Sequence, residues 1–188
     1  MYFAEKCSIP DVQILTPKTF PDERGVFFET FSERALLECG IEFHTVQENH
    51  IVNVKKGVIR GLHFQNAPHA QAKIVRCIKG TVDDVAVDLR KGSPTYLKWV
   101  MVELSEENRK QLYIPEGFAH GVISRTEYSE IQYVVNEGYA PQADRSIRFD
   151  DPAIGVDWKE NAPVLSEKDN NAPTVDECDC NFVYGSTI

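Results

Sequence analysis

Residues 114–121 read Ile-Pro-Glu-Gly-Phe-Ala-His-Gly and place a tight-turn signal between two apolar segments. Pro115 fixes one backbone angle, and Gly117 accepts the left-handed conformations that many turns need. The flanking segments, Gln111–Ile114 and His120–Ser124, are short and contain β-branched or aromatic residues, which favour strands. The stretch therefore predicts two consecutive strands joined by a Pro-Gly turn.

Similar segments continue on both sides of this turn and are separated by Gly- and Pro-containing signals. The further strand-like segments are 12–15, 25–31, 72–78, 81–89, 97–104 and 130–135. Many short strands at this spacing predict an all-β fold, a closed barrel or a sandwich. Only Glu33–Cys39 is typical of a helix, with Ser32 as its cap and Gly40 as its stop. A doubly wound nucleotide fold is excluded, because helices do not alternate with the strands and no G-x-G-x-x-G occurs.

The chain has 188 residues, the size of one ordinary domain. We expect one unit over 1–188, with the barrel core at roughly 45–140 and loops and short helices over 141–188. No apolar run approaches the ~20 residues of a membrane helix, and the first residues do not resemble a signal peptide. The five cysteines are odd in number and scattered, which predicts reduced thiols. These features predict a cytoplasmic protein without a membrane partner.

The net charge of −9 argues against nucleic acid and anionic membranes as partners. The charge is uneven, however. Residues 55–98 carry nine basic and three acidic side chains, a local charge of +6, whereas 151–188 carry two basic and eight acidic ones, a local charge of −6. The centre of the chain could therefore bind an anion.

The stretch Gly57–Gln65 holds the most informative polar residues. Arg60 and His63 are three positions apart, so they lie on opposite faces of a regular strand. Both can point into one cavity only if a bend or bulge at Gly61 reorients one of them. A hydrogen-bonded core histidine is the competing interpretation of His63.

The pattern Pro-x-Gly-x-x-His within residues 114–121 resembles the second half of the cupin signature, which belongs to a β-barrel family that often binds metal. In metal-binding members the first half supplies two histidines as His-x-His, but here it reads His63-Phe64-Gln65. An amide is a poor substitute for imidazole on a transition metal. We therefore predict the barrel without a metal, and keep a site built from His63, His69 and His120 as the alternative.

A more specific resemblance covers Phe20 to about Asp169. Its motifs, in order, are Arg60-Gly-Leu-His-Phe-Gln65, Gln71-Ala-Lys73, Val85-Ala-Val-Asp-Leu-Arg90, Ser93-Pro-Thr95, residues 114–121, Tyr133, Asp150-Asp-Pro152 and Leu165-Ser-Glu-Lys-Asp169. These motifs resemble the dTDP-4-dehydrorhamnose 3,5-epimerase family. The resemblance implies a cupin-like jelly-roll β-barrel with a few short peripheral helices. It also implies a homodimer in which part of segment 20–30 crosses to the partner and completes its site.

The family inverts C3 and C5 of a 4-keto-6-deoxy sugar nucleotide without cofactor or metal, turning dTDP-4-dehydro-6-deoxy-D-glucose into dTDP-4-dehydro-L-rhamnose for dTDP-rhamnose biosynthesis. Such chemistry needs a base, an acid on the opposite face and a group that holds the enolate oxygen. By resemblance, the catalytic residues are His63 as base, Asp169 as its partner, Tyr133 as acid and Lys73 at the oxyanion. The residues implied in binding the nucleotide-diphosphate sugar are Arg24, Glu29, Gln47, Asn49, Arg60, Lys73, His120, Tyr139, Asp144 and Lys168.

Three positions depart from the family pattern: Asp144 replaces a usual Glu, Phe149 a usual Trp, and Val122 a common Phe. The first two lie in a segment that resembles the nucleotide end of the site, so they affect the identity of the nucleotide and sugar more than the chemistry. The sequence leaves open a 3- or 5-only epimerase, a metal-dependent cupin enzyme and a non-catalytic nucleotide-sugar binding module. Tyr139 is a candidate for the choice between carbons.

Overall fold

The structure is a computed structural model that describes residues 1–186. Within this range the strands are β1 Tyr2–Lys6, β2 Gln13–Pro17, β3 Thr19–Asp22, β4 Gly25–Phe28, β5 Gln47–Asn53, β6 Ile59–Gln65, β7 Lys73–Lys79, β8 Thr81–Asp88, β9 Trp99–Ser105, β10 Gln111–Ile114, β11 Phe118–Ser124, β12 Ser129–Val135 and β13 Asp144–Ser146. The helices are α1 Glu33–Glu38 and α2 Glu167–Asn170.

Two antiparallel sheets form the body of the protein. One has the order β1-β2-β10-β7-β12-β5 and the other β13-β6-β11-β8-β9, while β3 and β4 form a separate hairpin. Sequential neighbours such as β10 and β11 lie in different sheets, so the chain crosses repeatedly between the two layers. This is a cupin-like jelly-roll, and the predicted all-β barrel is confirmed.

Apolar side chains fill three layers. Between the sheets, Val75 and Ile131 from one sheet meet Ala86 and Val122 from the other. Each such fully buried side chain stabilises the fold by about 1.5–3 kcal/mol relative to exposure. The alternation of a strand, with a period of two residues, sends the remaining side chains to the outer faces.

Each outer face has its own cover. On the five-stranded sheet, Trp158 and Phe182 from the C-terminal segment pack against Leu62. On the six-stranded sheet, Leu36 of α1 packs against Ile74. The barrel is therefore held from outside by segments that precede and follow its central strands.

A β-bulge interrupts the pairing of β6 with β11. His63 lies opposite His120 and Arg60 lies opposite Val122, so two residues of β6 face only Gly121. Gly61 has a φ of +135°, which residues other than glycine rarely adopt. A Cβ atom there would lie 2.5 Å from the Cα atom of Gly121. The bulge turns Arg60 and His63 toward the same space, as the sequence predicts.

The predicted helix Glu33–Cys39 is confirmed: it begins at Glu33 and ends one residue early, at Glu38. Ser32 accepts a hydrogen bond from the backbone N–H of Ala35, as a cap should, and Gly40 has a φ of +77°. All five cysteines are free thiols. No helix within residues 1–186 is both long and apolar enough to cross a membrane.

Candidate active site

A cavity of about 370 Å³ opens between the two sheets. Its lining residues are Ile51, Arg60, His63, Phe64, Gln65, Gln71, Lys73, His120, Val122, Tyr133, Tyr139, Asp144, Ser166, Lys168 and Asp169. Both sheets, the segment after β12 and the short helix α2 contribute. The cavity therefore collects most of the polar residues that the sequence singles out.

A carboxylate–imidazole pair forms one wall. The Nε2 atom of His63 lies 2.5 Å from Oδ1 of Asp169, and the hydroxyl of Ser166 donates to Oδ2 at 2.8 Å. Ser166 also caps α2, because its Oγ accepts from the backbone N–H of Asp169. Asp169 is only 3% exposed. Both of its oxygens are therefore occupied, and its position against His63 is fixed.

Asp169 remains an anion despite its position. Burial by itself raises the pKa of its carboxyl, but the hydrogen bonds from His63 and Ser166 outweigh burial and leave the pKa below its ordinary value. A carboxylate at Nε2 holds a proton on that nitrogen of His63. The other ring nitrogen, Nδ1, is then the one that can take a proton from a ligand.

A second buried pair lies beside the first. Nε2 of His120 is 2.7 Å from Oδ1 of Asp84, and His120 is the cross-strand neighbour of His63. Burial lowers the pKa of His120, and Asp84 opposes that shift whereas Lys73 and His63 add to it. Two imidazoles on adjacent strands thus face the cavity, each held by its own carboxylate.

Lys73 reaches the cavity from the facing sheet. Burial lowers the pKa of its ammonium to about 8, while the charges of Asp84 and Asp144 oppose the shift. Such a partly desolvated cation interacts strongly with an oxyanion, because little water screens it.

Tyr133 also comes from the six-stranded sheet, on β12. Burial raises the pKa of its phenol, and Arg60 partly opposes the increase. Its ring centroid lies 6.4 Å from that of His120. A phenol on one wall and an imidazole on the other can address opposite faces of a ligand held between the sheets.

Polar residues also surround the mouth of the cavity. Oδ2 of Asp144 accepts from Nζ of Lys168 at 2.6 Å and from the hydroxyl of Tyr139 at 3.4 Å. Nε of Arg60 donates to the side chain of Asn53 at 2.9 Å. The basic groups Arg60, Lys73 and Lys168 can meet an anionic ligand. The first two belong to the segment 55–98, which has a local charge of +6.

Four of the predicted binding residues do not line this cavity. Arg24, 84% exposed, pairs with Asp22 in the β3–β4 turn, and Glu29 pairs with the N-terminal ammonium at 3.0 Å. Gln47 and Asn49 lie on β5 and bond to each other at 2.7 Å. The backbone N–H of Tyr139 donates to Gln47, which ties these residues to the mouth but leaves them outside the lining.

Phe149 does not line the cavity. It packs against the outer cluster of the five-stranded sheet, and its carbonyl accepts from the indole N–H of Trp158 at 2.7 Å. Its ring fills a hydrophobic layer, and an effect of this departure on the nucleotide stays a prediction. Asp144 and Val122 do line the cavity.

The alternative metal site is not assembled. The amide of Gln65 donates to the carbonyls of His69 and Gly138 and accepts from the N–H of Ala140, so it is fully engaged. His69 approaches Glu137 instead, at 3.4 Å, and is absent from the cavity lining. Over residues 1–186, no group of three or more His, Cys, Asp or Glu side chains is arranged to hold a metal ion.

Sequence reasoning missed Asp84 and Ser166. Asp84 alternates with Val82 and Ala86 of the inner cluster, so strand periodicity marks it as an inward-facing acid. Ser166 precedes Asp169 by three residues, the spacing of a helix cap. Both signals are present in the sequence, but neither is specific without the fold.

The cavity of this jelly-roll barrel holds a buried carboxylate–imidazole pair opposite a phenol and a desolvated lysine. These groups define a class of barrel protein that is equipped for proton transfer. The sequence profile of one family, described as dTDP-4-dehydrorhamnose 3,5-epimerase, matches residues 6–177. The chain belongs to this family.

Relatives support the assignment over nearly the whole chain. A dTDP-4-dehydrorhamnose 3,5-epimerase of Salmonella typhimurium is 50% identical over 179 residues, 94% of this chain and 97% of the relative. The Legionella pneumophila enzyme, solved with dTDP-4-keto-L-rhamnose, has a TM-score of 0.90 and 39% identity and covers 95% of each chain. A 3'-monoepimerase of Streptomyces bikiniensis, solved with dTDP-quinovose, has a TM-score of 0.85 and 33% identity over 92% of this chain and 87% of its own.

Proposed function

We propose that this protein converts dTDP-4-dehydro-6-deoxy-D-glucose into dTDP-4-dehydro-L-rhamnose by inverting C3 and C5, as a step of dTDP-rhamnose biosynthesis. One observation carries the proposal: the His63–Asp169 pair faces Tyr133 and Lys73 across one cavity. Membership of the epimerase family supports the substrate class.

Proton removal is assigned to His63. C3 and C5 both adjoin the C4 carbonyl, so loss of either proton gives an enolate whose negative charge rests on the C4 oxygen. Asp169 fixes the tautomer of the imidazole and stabilises the imidazolium that forms. The buried, ionised state of Asp169 supports this role, because a neutral carboxyl would stabilise the cation far less.

Lys73 is assigned to the enolate oxygen, and Tyr133 returns a proton to the opposite face. The ammonium of Lys73 is buried and lies on the facing sheet, so its charge interacts with the oxygen through little water. The raised pKa of Tyr133 keeps its phenol protonated until a strongly basic enolate carbon approaches. Arg60 and Lys168 are assigned to the diphosphate, and His120, Tyr139 and Asp144 to the sugar.

Solvent exchange tests the chemistry directly. Incubation with the substrate in deuterated water should place deuterium at C3 and at C5, read separately by NMR. His63→Ala should abolish labelling at both carbons, because the base is lost. His69→Ala is the matched control, since His69 lies outside the cavity, and it should label as fast as the wild type.

Each other outcome contradicts a part of the proposal. Labelling at one carbon only would make the protein a monoepimerase like the Streptomyces bikiniensis relative. Binding of the nucleotide sugar without labelling would leave a binding module. Stoichiometric metal that is lost together with activity on chelation would refute the proton-transfer mechanism without cofactor.

We also propose a homodimer in which the β3–β4 hairpin enters the partner's site. The hairpin exposes Phe27 at 71% and Phe20 at 50%, more apolar surface than a free hairpin should leave in water. Arg24 lies in the turn of this hairpin and Glu29 directly follows it, and both lie outside the cavity of their own chain. Contact with the nucleotide in the neighbouring site accounts for both observations.

Mixed dimers show whether Arg24 acts on the site of its own chain or on the partner's site. Arg24→Ala and His63→Ala chains, each weakly active alone, are unfolded and refolded together. If Arg24 acts on the partner's site, half of the dimers are mixed and hold one intact site of two, so about a quarter of wild-type activity returns. No recovery would place Arg24 in its own chain's site and refute the exchange.

A further inference from the structure

Asp84 is a buried acid for which the proposed mechanism has no role. It lies on β8, is fully buried, and does not line the cavity. A fully buried carboxylate is costly unless both of its oxygens have partners. Oδ1 meets His120, but Oδ2 makes no hydrogen bond within residues 1–186.

The ammonium of Lys73 also lacks a partner within residues 1–186, and its charge is opposite to that of Asp84. Among the described residues its ammonium makes neither a hydrogen bond nor an ion pair, although it is 93% buried, with 7% of its surface exposed. Asp84 exerts the largest charge effect that keeps it protonated, followed by Asp144, whereas Lys168 acts in the opposite sense. Within the described residues, Asp84 thus holds an unpaired buried carboxylate oxygen, while Lys73 lines the cavity with no partner for its ammonium.

We propose that Asp84 is a positioning residue that serves two cavity groups at once, with Oδ1 orienting the imidazole of His120 and Oδ2 keeping the ammonium of Lys73 charged. The inference rests on the proposed function, since it explains how the group at the enolate oxygen keeps its positive charge. Substrate entry removes the remaining water from Lys73, which favours the neutral amine. The negative charge of Asp84 counteracts this loss at the moment when the oxyanion forms.

The titratable groups that face Asp84 are Lys73 and Cys77 from β7 and His120 from β11. The charge of Asp84 contributes to the raised pKa of the Cys77 thiol. The thiol stays neutral over the working range because burial raises its pKa to about 11. Lys73 and His120 therefore report the charge of Asp84. Loss of that charge should lower the pKa of both groups.

Asp84→Asn is the decisive variant. An asparagine supplies one carbonyl oxygen, so it can serve His120 or Lys73 but not both. We expect kcat at pH 7 to fall about tenfold or more, less than loss of an acid–base group itself, with little change in KM. The basic limb of the kcat profile should move to lower pH, because Lys73 loses its proton more easily.

Asp83→Asn is the matched control. Asp83 is the next residue on β8 but points to the other face, where its carboxylate meets Arg125 at 2.6 Å. The control variant removes the same charge from the same strand and should leave the basic limb in place. Asp84→Glu retains the charge and should keep that limb near its wild-type position even if kcat falls.

The wild-type protein provides an independent measurement if Asp84→Asn does not fold. Nitrogen-15 NMR should show a proton on Nε2 of His120 from pH 6 to 9, because that nitrogen donates to Asp84. An unprotonated Nε2 there, or a basic limb of Asp84→Asn that matches that of Asp83→Asn, would overturn the proposal. If the wild type places no deuterium in the substrate, the proposed function fails, and the NMR result still decides the role of Asp84.

Discussion

Replacing Gly61 with alanine tests the bulge that turns Arg60 and His63 toward one cavity. The new methyl group would lie 2.5 Å from Cα of Gly121 and 2.8 Å from the carbonyl oxygen of His120. Both are backbone atoms of β11, so they cannot rotate away. We expect this crowding to lower the free energy of unfolding by about 1–3 kcal/mol. Holding alanine at φ +135° should lower it by about 1–2 kcal/mol more.

The free energy of unfolding should therefore fall by about 2–5 kcal/mol, a large part of the 5–15 kcal/mol that is typical of a domain. Equilibrium unfolding in urea, followed by tryptophan fluorescence at fixed protein concentration, measures it. Activity should fall further than folding alone explains. A shift of about 1 Å in His63 relative to the substrate costs about 100-fold in rate.

Gly25→Ala is the matched control for backbone strain. Gly25 has a φ of +136°, nearly that of Gly61, but nothing lies within 4 Å of a Cβ atom built there. The Gly25→Ala variant should lose only the unfolding free energy that backbone strain costs, about 1–2 kcal/mol. If Gly61→Ala is no less stable than Gly25→Ala, then β6 and β11 do not approach as described, and the reasoning is refuted.

Three further substitutions address the chemistry. Asp169→Asn should lower deuterium incorporation by about 10³- to 10⁴-fold, because an amide permits the wrong tautomer of His63; a loss below tenfold would contradict the dyad. Since the folded pKa of Asp169 is lowered, the wild type should exceed this variant in stability above about pH 4 and lose the advantage as the pH falls through that folded pKa. Lys73→Met should abolish activity yet stabilise the fold by about 3 kcal/mol at pH 7, because burial moves the lysine pKa from 10.5 to about 8. This gain should shrink above pH 8 in urea titrations and vanish above about 10.5, and a less stable variant would contradict it. Tyr133→Phe should still exchange the proton of the substrate but form little inverted product, and equal losses of both in the NMR assay would remove Tyr133 as the acid.

The strands that sequence alone predicts contain β-branched or aromatic residues and lie next to a clear turn signal. Gln111–Ile114 is exact, and β7, β8 and β12 differ by only one or two residues at their ends. The strands β1, β3, β5 and β13 are missing from the prediction. β5 reads Gln-Glu-Asn-His-Ile-Val-Asn and sits at a sheet edge, so its polar residues form a strand only because β12 pairs with it.

The sequence predicts some residues of the candidate site and misses others, because only some of them lie in a recognisable local pattern. His63, Lys73 and Tyr133 lie on strands, and the family motifs mark them. Asp169 belongs to a segment that reads as a turn by itself, because its partner His63 is 106 positions away. Asp84 carries no motif, and its meaning depends on which side of β8 faces the other sheet.

The place of Asp169 in the chain also affects when the protein becomes active during its synthesis. The last long strand, β12, ends at Val135, and Asp169, within α2, follows 34 residues later. At about 5–20 residues per second, the ribosome needs about 2–7 s to add that stretch. A nascent or stalled chain that ends before α2 therefore possesses the strands that carry His63, Lys73 and Tyr133 but not the carboxylate that we assign to the base. On the proposed mechanism, activity then reports that translation has passed Asp169 as well as that the barrel has folded.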